Sequence, residues 1–313
     1  MQKYFEYRSI SDMNNIILRN LHIFPHDIDL VVGIPRSGMM PANLIALYLN
    51  KPYTDIDSFI SGRILGAGRR GSFIEKDKTN RVLVVDDSIS TGESMKEAKQ
   101  KCAHVSKDYK IYWAAIFATS ESNKHVDFYC EIIDYPRIFQ WNFFHSYHIT
   151  KSCFDIDGVL CVDPVTDDDG PVYTEYISHA TPLYQPTVCI DTIVSCRLEK
   201  YRSITEKWLQ DNHIQYKHLV MLDFPNKAER VKWGRHGEYK AGVYKKSSAS
   251  LFVESSLAQA RTIAAVSGKP VFCTETFDLV YGGGILQAKL TTRLKRKIKK
   301  FLRKYQNIKW VKD

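Results

Sequence analysis

Twice along this 313-residue chain, an apolar run of strand length ends in acidic residues at a turn. The first is VLVVDDSISTGESM, from Val82 to Met95, and the second is CFDIDGVLCVD, from Cys153 to Asp163. Few folds accept such a pattern. A run apolar on every side needs a strand covered on both faces, as in a parallel sheet. An open parallel sheet places its ligands outside the carboxyl ends of its strands, which is where these acids stand.

The rest of the chain keeps the same rhythm. Strand-like runs at Asp29–Val32, Val82–Val85 and Tyr112–Ala118 alternate with helix-like stretches at Met39–Leu49 and Ser94–His104. A second series runs through Ser152–Ile156, Thr192–Ser195, Leu219–Leu222, Leu251–Val253 and Pro270–Cys273, with amphipathic helices at Glu199–Asn212 and Ser256–Ser267. The fold class is α/β, with two parallel-sheet, Rossmann-like domains. The boundaries predicted are residues 1–149, residues 150–281 and a basic tail at 285–313, after the Gly282–Gly284 hinge.

The net charge of +9 is misleading. From Ile285 onward eleven Lys/Arg stand against one acid, which leaves 33 basic and 34 acidic residues in the rest. The body therefore has no charge bias towards nucleic acid. The seven Cys form no CxxC pairs. Cys153, Cys189, Cys196 and Cys273 lie in or beside apolar runs and read as buried free thiols of a reducing compartment. The N-terminus is polar, and no apolar run reaches the ~20 residues that span a bilayer. The expected location is the cytoplasm, or the cytoplasmic face of the plasma membrane.

In the first motif, Asp86 and Asp87 suit two neighbouring sugar hydroxyls. Small residues from Ser88 to Ser94, including Gly92, let the backbone close around a phosphate, and a helix beginning there adds N–H donors. Ser90, Thr91 and Ser94 add hydroxyls. The arrangement fits a ribose 5-phosphate. The segment resembles the PRPP-binding motif of type I phosphoribosyltransferases. GIPRSGMMPA (Gly33–Ala42) resembles that family's pyrophosphate loop, with Arg36 and Ser37 at the diphosphate. The Gly-rich segment Ser61–Arg81, with Arg63, Arg69, Arg70, Lys76 and Lys78, resembles the loop that closes over PRPP. The resemblance implies transfer of 5-phosphoribosyl from PRPP to a nucleophile, with Mg²⁺ and the basic loop neutralising the departing pyrophosphate. Members acting on hypoxanthine and guanine carry an Asp where this chain has Ser90, which counts against that acceptor class.

The second motif, FDIDGVL, resembles the first motif of the haloacid dehalogenase (HAD) superfamily. What this implies is a phosphatase: Asp155 attacks phosphorus, Asp157 is general acid/base, and both lie beside Mg²⁺. Ser195 in TIVSCR stands where the family binds phosphoryl oxygens. Lys240 is the best match to its third-motif cation, with Lys245 or Lys246 as the fallback. Glu254 stands at its metal-binding acid, and Ser255 follows where many members have a second one. The short segment Cys161–Gln185 leaves room for little or no cap.

Together the two resemblances describe consecutive steps. The first leaves a 5-phosphate on its product, and the second removes it. The net transfer is of a ribofuranosyl group, and a sugar hydroxyl of a glycan intermediate, lipid-linked or free, is the acceptor expected. The pairing resembles bacterial systems that install ribofuranose in surface polysaccharide from PRPP. Two other readings stand beside it: a nucleobase phosphoribosyltransferase fused to a nucleotidase, and a PRPP-sensing regulator.

In the tail, Leu286, Leu290, Leu294, Ile298, Phe301, Leu302 and Tyr305 recur at spacings of three and four, opposite a face of Lys and Arg. Such a helix suits an anionic membrane surface. Packing on its own domain or on a second protomer of a homodimer, or contact with RNA, are the alternatives. Each basic residue near an anionic surface is worth about 1 kcal/mol. Truncation after Gly284 is therefore expected to abolish cosedimentation with anionic liposomes at low salt. Full-length protein that ignores such liposomes would show that the tail packs on protein.

Overall fold

The computed structural model describes residues 5–65, 81–165 and 168–282. Arg69, Arg70 and the whole basic tail lie outside the described residues. The chain divides into two compact units, Met1–Trp141 and Asn142–Asp313.

Unit 1 contains, in order, β1 (Glu6–Arg8), α1 (Ile10–Asn20), β2 (Leu30–Gly33), α2 (Met39–Leu49), β3 (Tyr53–Asp55), α3 (Ile56–Ile60), β4 (Arg81–Ser88), α4 (Glu93–Lys101), β5 (Lys110–Ala118), β6 (Phe128–Ile132) and β7 (Arg137–Phe139). Helix α1 starts where Ser9 and Asp12 close a capping box. Five parallel strands form one sheet in the order β3-β2-β4-β5-β6. Strand β4 sits at its centre, and its apolar residues alternate between two cores. Leu83 and Val85 face the core that contains Met13, Ile17 and Ile45 of α1 and α2. Val82 and Val84 face the core that contains Phe59 and Met95 of α3 and α4. Double coverage is why VLVV reads as an unbroken apolar run. The chain leaves β2 for β3 on one side, while β4 pairs on the other. The sheet's topological switch point is thus between β2 and β4. Strands β1 and β7 pair separately, parallel to each other.

Unit 2 contains β8 (Ser152–Phe154), α5 (Pro171–His179), β9 (Ile190–Leu198), α6 (Arg202–Asp211), β10 (Tyr216–Leu222), α7 (Lys227–Trp233), α8 (His236–Lys246), β11 (Leu251–Glu254), α9 (Leu257–Ser267), β12 (Val271–Cys273) and β13 (Asp278–Val280). Its sheet order is β10-β9-β8-β11-β12-β13, parallel except for β13. Strands β9 and β11 flank β8 on opposite sides, so this switch point lies between β8 and β11. The segment expected to leave little room for a cap supplies one helix, α5. Its Tyr173 and Ile177 pack with Leu198, Tyr201 and Met221.

The division falls earlier than residue 149 because the aromatic stretch after Trp141 packs into unit 2. Phe143 meets Phe272 at 4.1 Å between ring centroids, and Phe144 stacks on Tyr184 at 4.5 Å. All seven cysteines are free. Cys153 and Cys273 are buried as expected, and Cys189 and Cys196 are half-buried. Among the described residues no helix is long and apolar enough to cross a membrane.

Leu83 is fully buried in the middle strand of unit 1. Leu83→Ala is expected to lower stability by about 2–5 kcal/mol in urea denaturation. A loss below about 1 kcal/mol would contradict this placement.

Candidate functional sites

Each switch point ends in acids. In unit 1, β4 continues through Asp86 and Asp87 to Ser88, so both carboxylates are delivered by the central strand. The turn between β2 and α2 lies against them. Ile34 N donates to Val85 O at 3.0 Å. A Cβ on Gly38 would stand 2.6 Å from Ile34 O and 2.9 Å from Asp86 Oδ1, so only glycine allows this approach.

Asp87 is doubly held: Ser37 Oγ donates to its Oδ1 at 2.7 Å, and Trp141 Nε1 donates to its Oδ2 at 2.6 Å. Asp86 Oδ1 accepts the backbone N–H of Asp87 at 2.9 Å. Burial, and next the neighbouring Asp87, push the Asp86 carboxyl up to about 8. Arg36 is exposed and makes no side-chain hydrogen bond or ion pair among the described residues, which leaves its guanidinium available for an anion.

The turn after β4 is pinned from behind. Ile89 O accepts from Ser122 Oγ at 3.0 Å and from Arg137 Nη2 at 2.9 Å. Ser90 Oγ and Tyr135 OH are 2.6 Å apart. Ser88 and Gly92 are half-buried, and Thr91 and Ser94 are exposed. A cleft of about 360 Å³ nearby is lined by Thr91 and Gly92 but by neither acid. Trp141, Ser122, Arg137 and Tyr135 carry no motif that marks them as site residues in the sequence. The one signal was the aromatic run PRIFQW, which shows no periodicity that would direct its side chains to a site.

In unit 2, Asp155 follows β8 directly, and its N–H donates to Val253 O of β11 at 3.0 Å. Helix α8 brings Lys240 between two carboxylates. Its Nζ is 2.6 Å from Asp155 Oδ2 and 2.7 Å from Glu254 Oε2. All three groups are buried, while Lys245 and Lys246 on the same helix are exposed. Burial pushes the Asp155 carboxyl up to about 7, against Lys240, which pulls it down. Burial disfavours the Lys240 charge, but Asp155 and Glu254 outweigh it and hold the ammonium above its ordinary range.

Asp157 faces elsewhere. Arg197, 1% exposed, donates Nη2 to Asp157 Oδ1 at 2.7 Å and Nε to Oδ2 at 3.1 Å. Tyr176 OH adds a bond to Oδ1 at 3.3 Å. Ser195 is fully buried, with its Oγ accepting from Arg197 N at 3.1 Å. Its neighbour Cys196, rather than Ser195, lines the cleft of about 230 Å³ in front of Asp155. Gly158 takes φ +73, and a Cβ there would lie 2.5 Å from Ser255 Oγ, which locks the DxDG turn against β11.

Carboxylate and carbonyl oxygens are the donors a hard cation such as Mg²⁺ prefers. Yet among the described residues no group of three or more His, Cys, Asp or Glu is arranged to hold a metal. Asp155 and Glu254 are instead bridged by Lys240, and Asp157 is turned to Arg197. The expected ligand set is thus of the right chemistry, with its members committed to other partners.

Asp86 generates a pH prediction. Its folded carboxyl binds a proton more tightly than the ordinary carboxyl, at 3.8, of the unfolded chain. Between about pH 4 and about pH 8 the folded state therefore holds more protons, and stability falls as pH rises. Asp86→Asn removes that term. The stability difference between variant and wild type is expected to grow in the variant's favour across this window. Parallel pH profiles would contradict it.

Residues 7–147 match the phosphoribosyl transferase domain family. Among solved structures, xanthine-guanine-hypoxanthine phosphoribosyltransferase from Helicobacter pylori is 18% identical, with 44% of this chain and 93% of that chain covered and a TM-score of 0.34. Purine phosphoribosyltransferase from Pyrococcus horikoshii is also 18% identical, over 43% and 92%, with a TM-score of 0.33. Orotate phosphoribosyltransferase from Aeropyrum pernix is 24% identical, over 36% and 59%, with a TM-score of 0.25. No curated protein matches the chain.

Proposed function

We propose, starting from the match of residues 7–147 to the phosphoribosyl transferase domain family, that the chain performs two consecutive reactions on one ribosyl group. In the first, an acceptor hydroxyl attacks C1 of PRPP. The new C–O bond forms, the bond from C1 to the diphosphate breaks, pyrophosphate leaves, and the hydroxyl proton passes to solvent. Asp86 and Asp87 take the ribose hydroxyls, residues Ser88 to Ser94 take the 5-phosphate, and Arg36 and Ser37 face the diphosphate. Arg69 and Arg70, the other cations assigned to PRPP from the sequence, lie outside the described residues.

In the second reaction, Asp155 attacks the phosphorus of the 5-phosphate. The bond from phosphorus to the C5 oxygen breaks, and that oxygen takes a proton from solvent by way of Asp157. Water then cleaves the aspartyl phosphate and inorganic phosphate leaves. The observation that carries this reading is the buried trio of Asp155, Lys240 and Glu254 at the switch point of the second sheet. Lys240 compensates only one of the two carboxylates it bridges. Mg²⁺, when bound at Asp155, Asp157 and Glu254, would supply further positive charge for the phosphoryl oxygens. Lys240 holds Asp155 in place, Arg197 orients Asp157, and Ser195 supports the β9 end behind the cleft.

The two steps leave a ribofuranosyl residue without phosphate, which suits a glycan more than a nucleotide product. The acceptor proposed is a sugar hydroxyl of a bacterial glycan intermediate. The basic tail would hold the enzyme at the inner membrane surface, where a lipid-linked acceptor would be.

Asp86→Asn combined with Asp87→Asn is expected to abolish pyrophosphate release while phosphatase activity persists on a small phosphomonoester. Asp155→Asn is expected to accumulate a product heavier than the wild-type product by one phosphate. Identical product masses would sink the sequential scheme.

A further inference from the structure

The cleft in front of Asp155 has a second wall that neither proposed reaction uses. Arg230 of α7 is 5% exposed and lines it. Its Nη1 donates to Cys196 O at 2.9 Å, and its Nη2 pairs with Asp168. Its Nε has no hydrogen-bond partner among the described residues, although it is buried. Two more lining groups on helices share that state, His236 Nε2 at the start of α8 and Gln259 Oε1 in the first turn of α9, while a fourth lining atom, Asp168 Oδ1, is met by the ammonium of Lys227 at 2.8 Å. Buried polar atoms in folded proteins are nearly always satisfied. Three orphans from three helices, all on one cleft of about 230 Å³, are therefore a recognition pattern awaiting a ligand.

The pattern specifies what the ligand carries. Arg230 Nε–H can only donate, so it needs an acceptor. Gln259 Oε1 can only accept, so it needs a donor. A hydroxyl meets both needs, and His236 can serve either sense. Arg230 already has a counter-ion in Asp168, which Lys227 shares at 2.8 Å, and the position left open on it is the Nε–H donor. Burial, with Arg230 and Lys240 nearby, holds the His236 imidazole below its ordinary range, so His236 adds no charge of its own to the wall. The aromatic side chain in the lining, Tyr173, is 1% exposed and stacked on Tyr176, which leaves no open ring face for a base.

We propose that Arg230, His236 and Gln259 form a sugar-hydroxyl subsite that selects a polyol, such as a furanose ring, as the group carrying the phosphomonoester. The contact of Arg230 with the Cys196 carbonyl, next to Ser195, makes this wall continuous with the reacting end of β9. The proposal rests on the phosphatase reading of Asp155 and names the class of substrate that the same cleft takes.

Full-length protein with Mg²⁺ is assayed on two esters, ribose 5-phosphate and p-nitrophenyl phosphate, and the ratio of their kcat/KM values is taken as the selectivity for hydroxyls. Gln259→Leu and His236→Phe each keep side-chain size and lose the polar atom. The ratio is expected to fall about tenfold in each, the size of one neutral hydrogen bond to substrate. An active wild type whose ratio stays within about twofold in both variants would overturn the subsite alone. A wild type that hydrolyses neither ester would overturn the phosphatase reading, and the subsite with it.

Discussion

Everything in this protein is arranged around the cost of burying carboxylates at the end of a parallel sheet. An isolated buried charge is too expensive to keep, so it must be paired, hydrogen-bonded or protonated. The two units answer that demand differently. Asp87 is held by Ser37 and Trp141, and Asp86 keeps a high affinity for its proton. Asp155 and Glu254 share the ammonium of Lys240, and Asp157 is forked by Arg197. In both sheets the acids stand where the strand order reverses, so the expense falls where a ligand can enter.

This difference bears on how each site would use its ligand. The acid pair of unit 1 is surrounded by neutral donors, with Arg36 exposed beside it. Sugar hydroxyls would offer this pair both donors and acceptors on binding. In unit 2 the cation is built in. Lys240 pre-places Asp155, which suits a group that must attack in one direction. The proposed sequence of reactions uses this contrast: the first site would hold a ribosyl phosphate, and the second would remove its phosphate.

Much of the frame was legible because strands buried on both faces have to be apolar throughout. The helix Met39–Leu49 falls within the bounds read from sequence, and VLVV sits at the sheet centre. Asp155, Lys240 and Glu254 were named from the resemblance to HAD motifs, and Lys240 lies within hydrogen-bonding distance of both carboxylates. What could not be read was long-range pairing. Trp141 reaches Asp87 across 54 positions, and Arg197 reaches Asp157 across 40. Arg197 closes an apolar run as if it were a surface end, yet it is among the most buried side chains. No local pattern distinguishes a buried arginine from a solvated one. Short elements such as β3 and β7, three residues each, carry too little periodicity to announce themselves. The Phe143–Phe144 contacts moved the domain boundary for the same reason: aromatic stretches do not say which core they will join.

The central claim is that one ribosyl group passes through both sites. The most direct measurement uses PRPP labelled with radioactive phosphorus at the 5-phosphate, full-length protein, Mg²⁺ and a glycan acceptor with a free sugar hydroxyl. Pyrophosphate and inorganic phosphate are separated and counted over time. The account predicts unlabelled pyrophosphate first, then labelled inorganic phosphate rising to an equal amount, with none retained in the glycan. Label that stays in the product would contradict it.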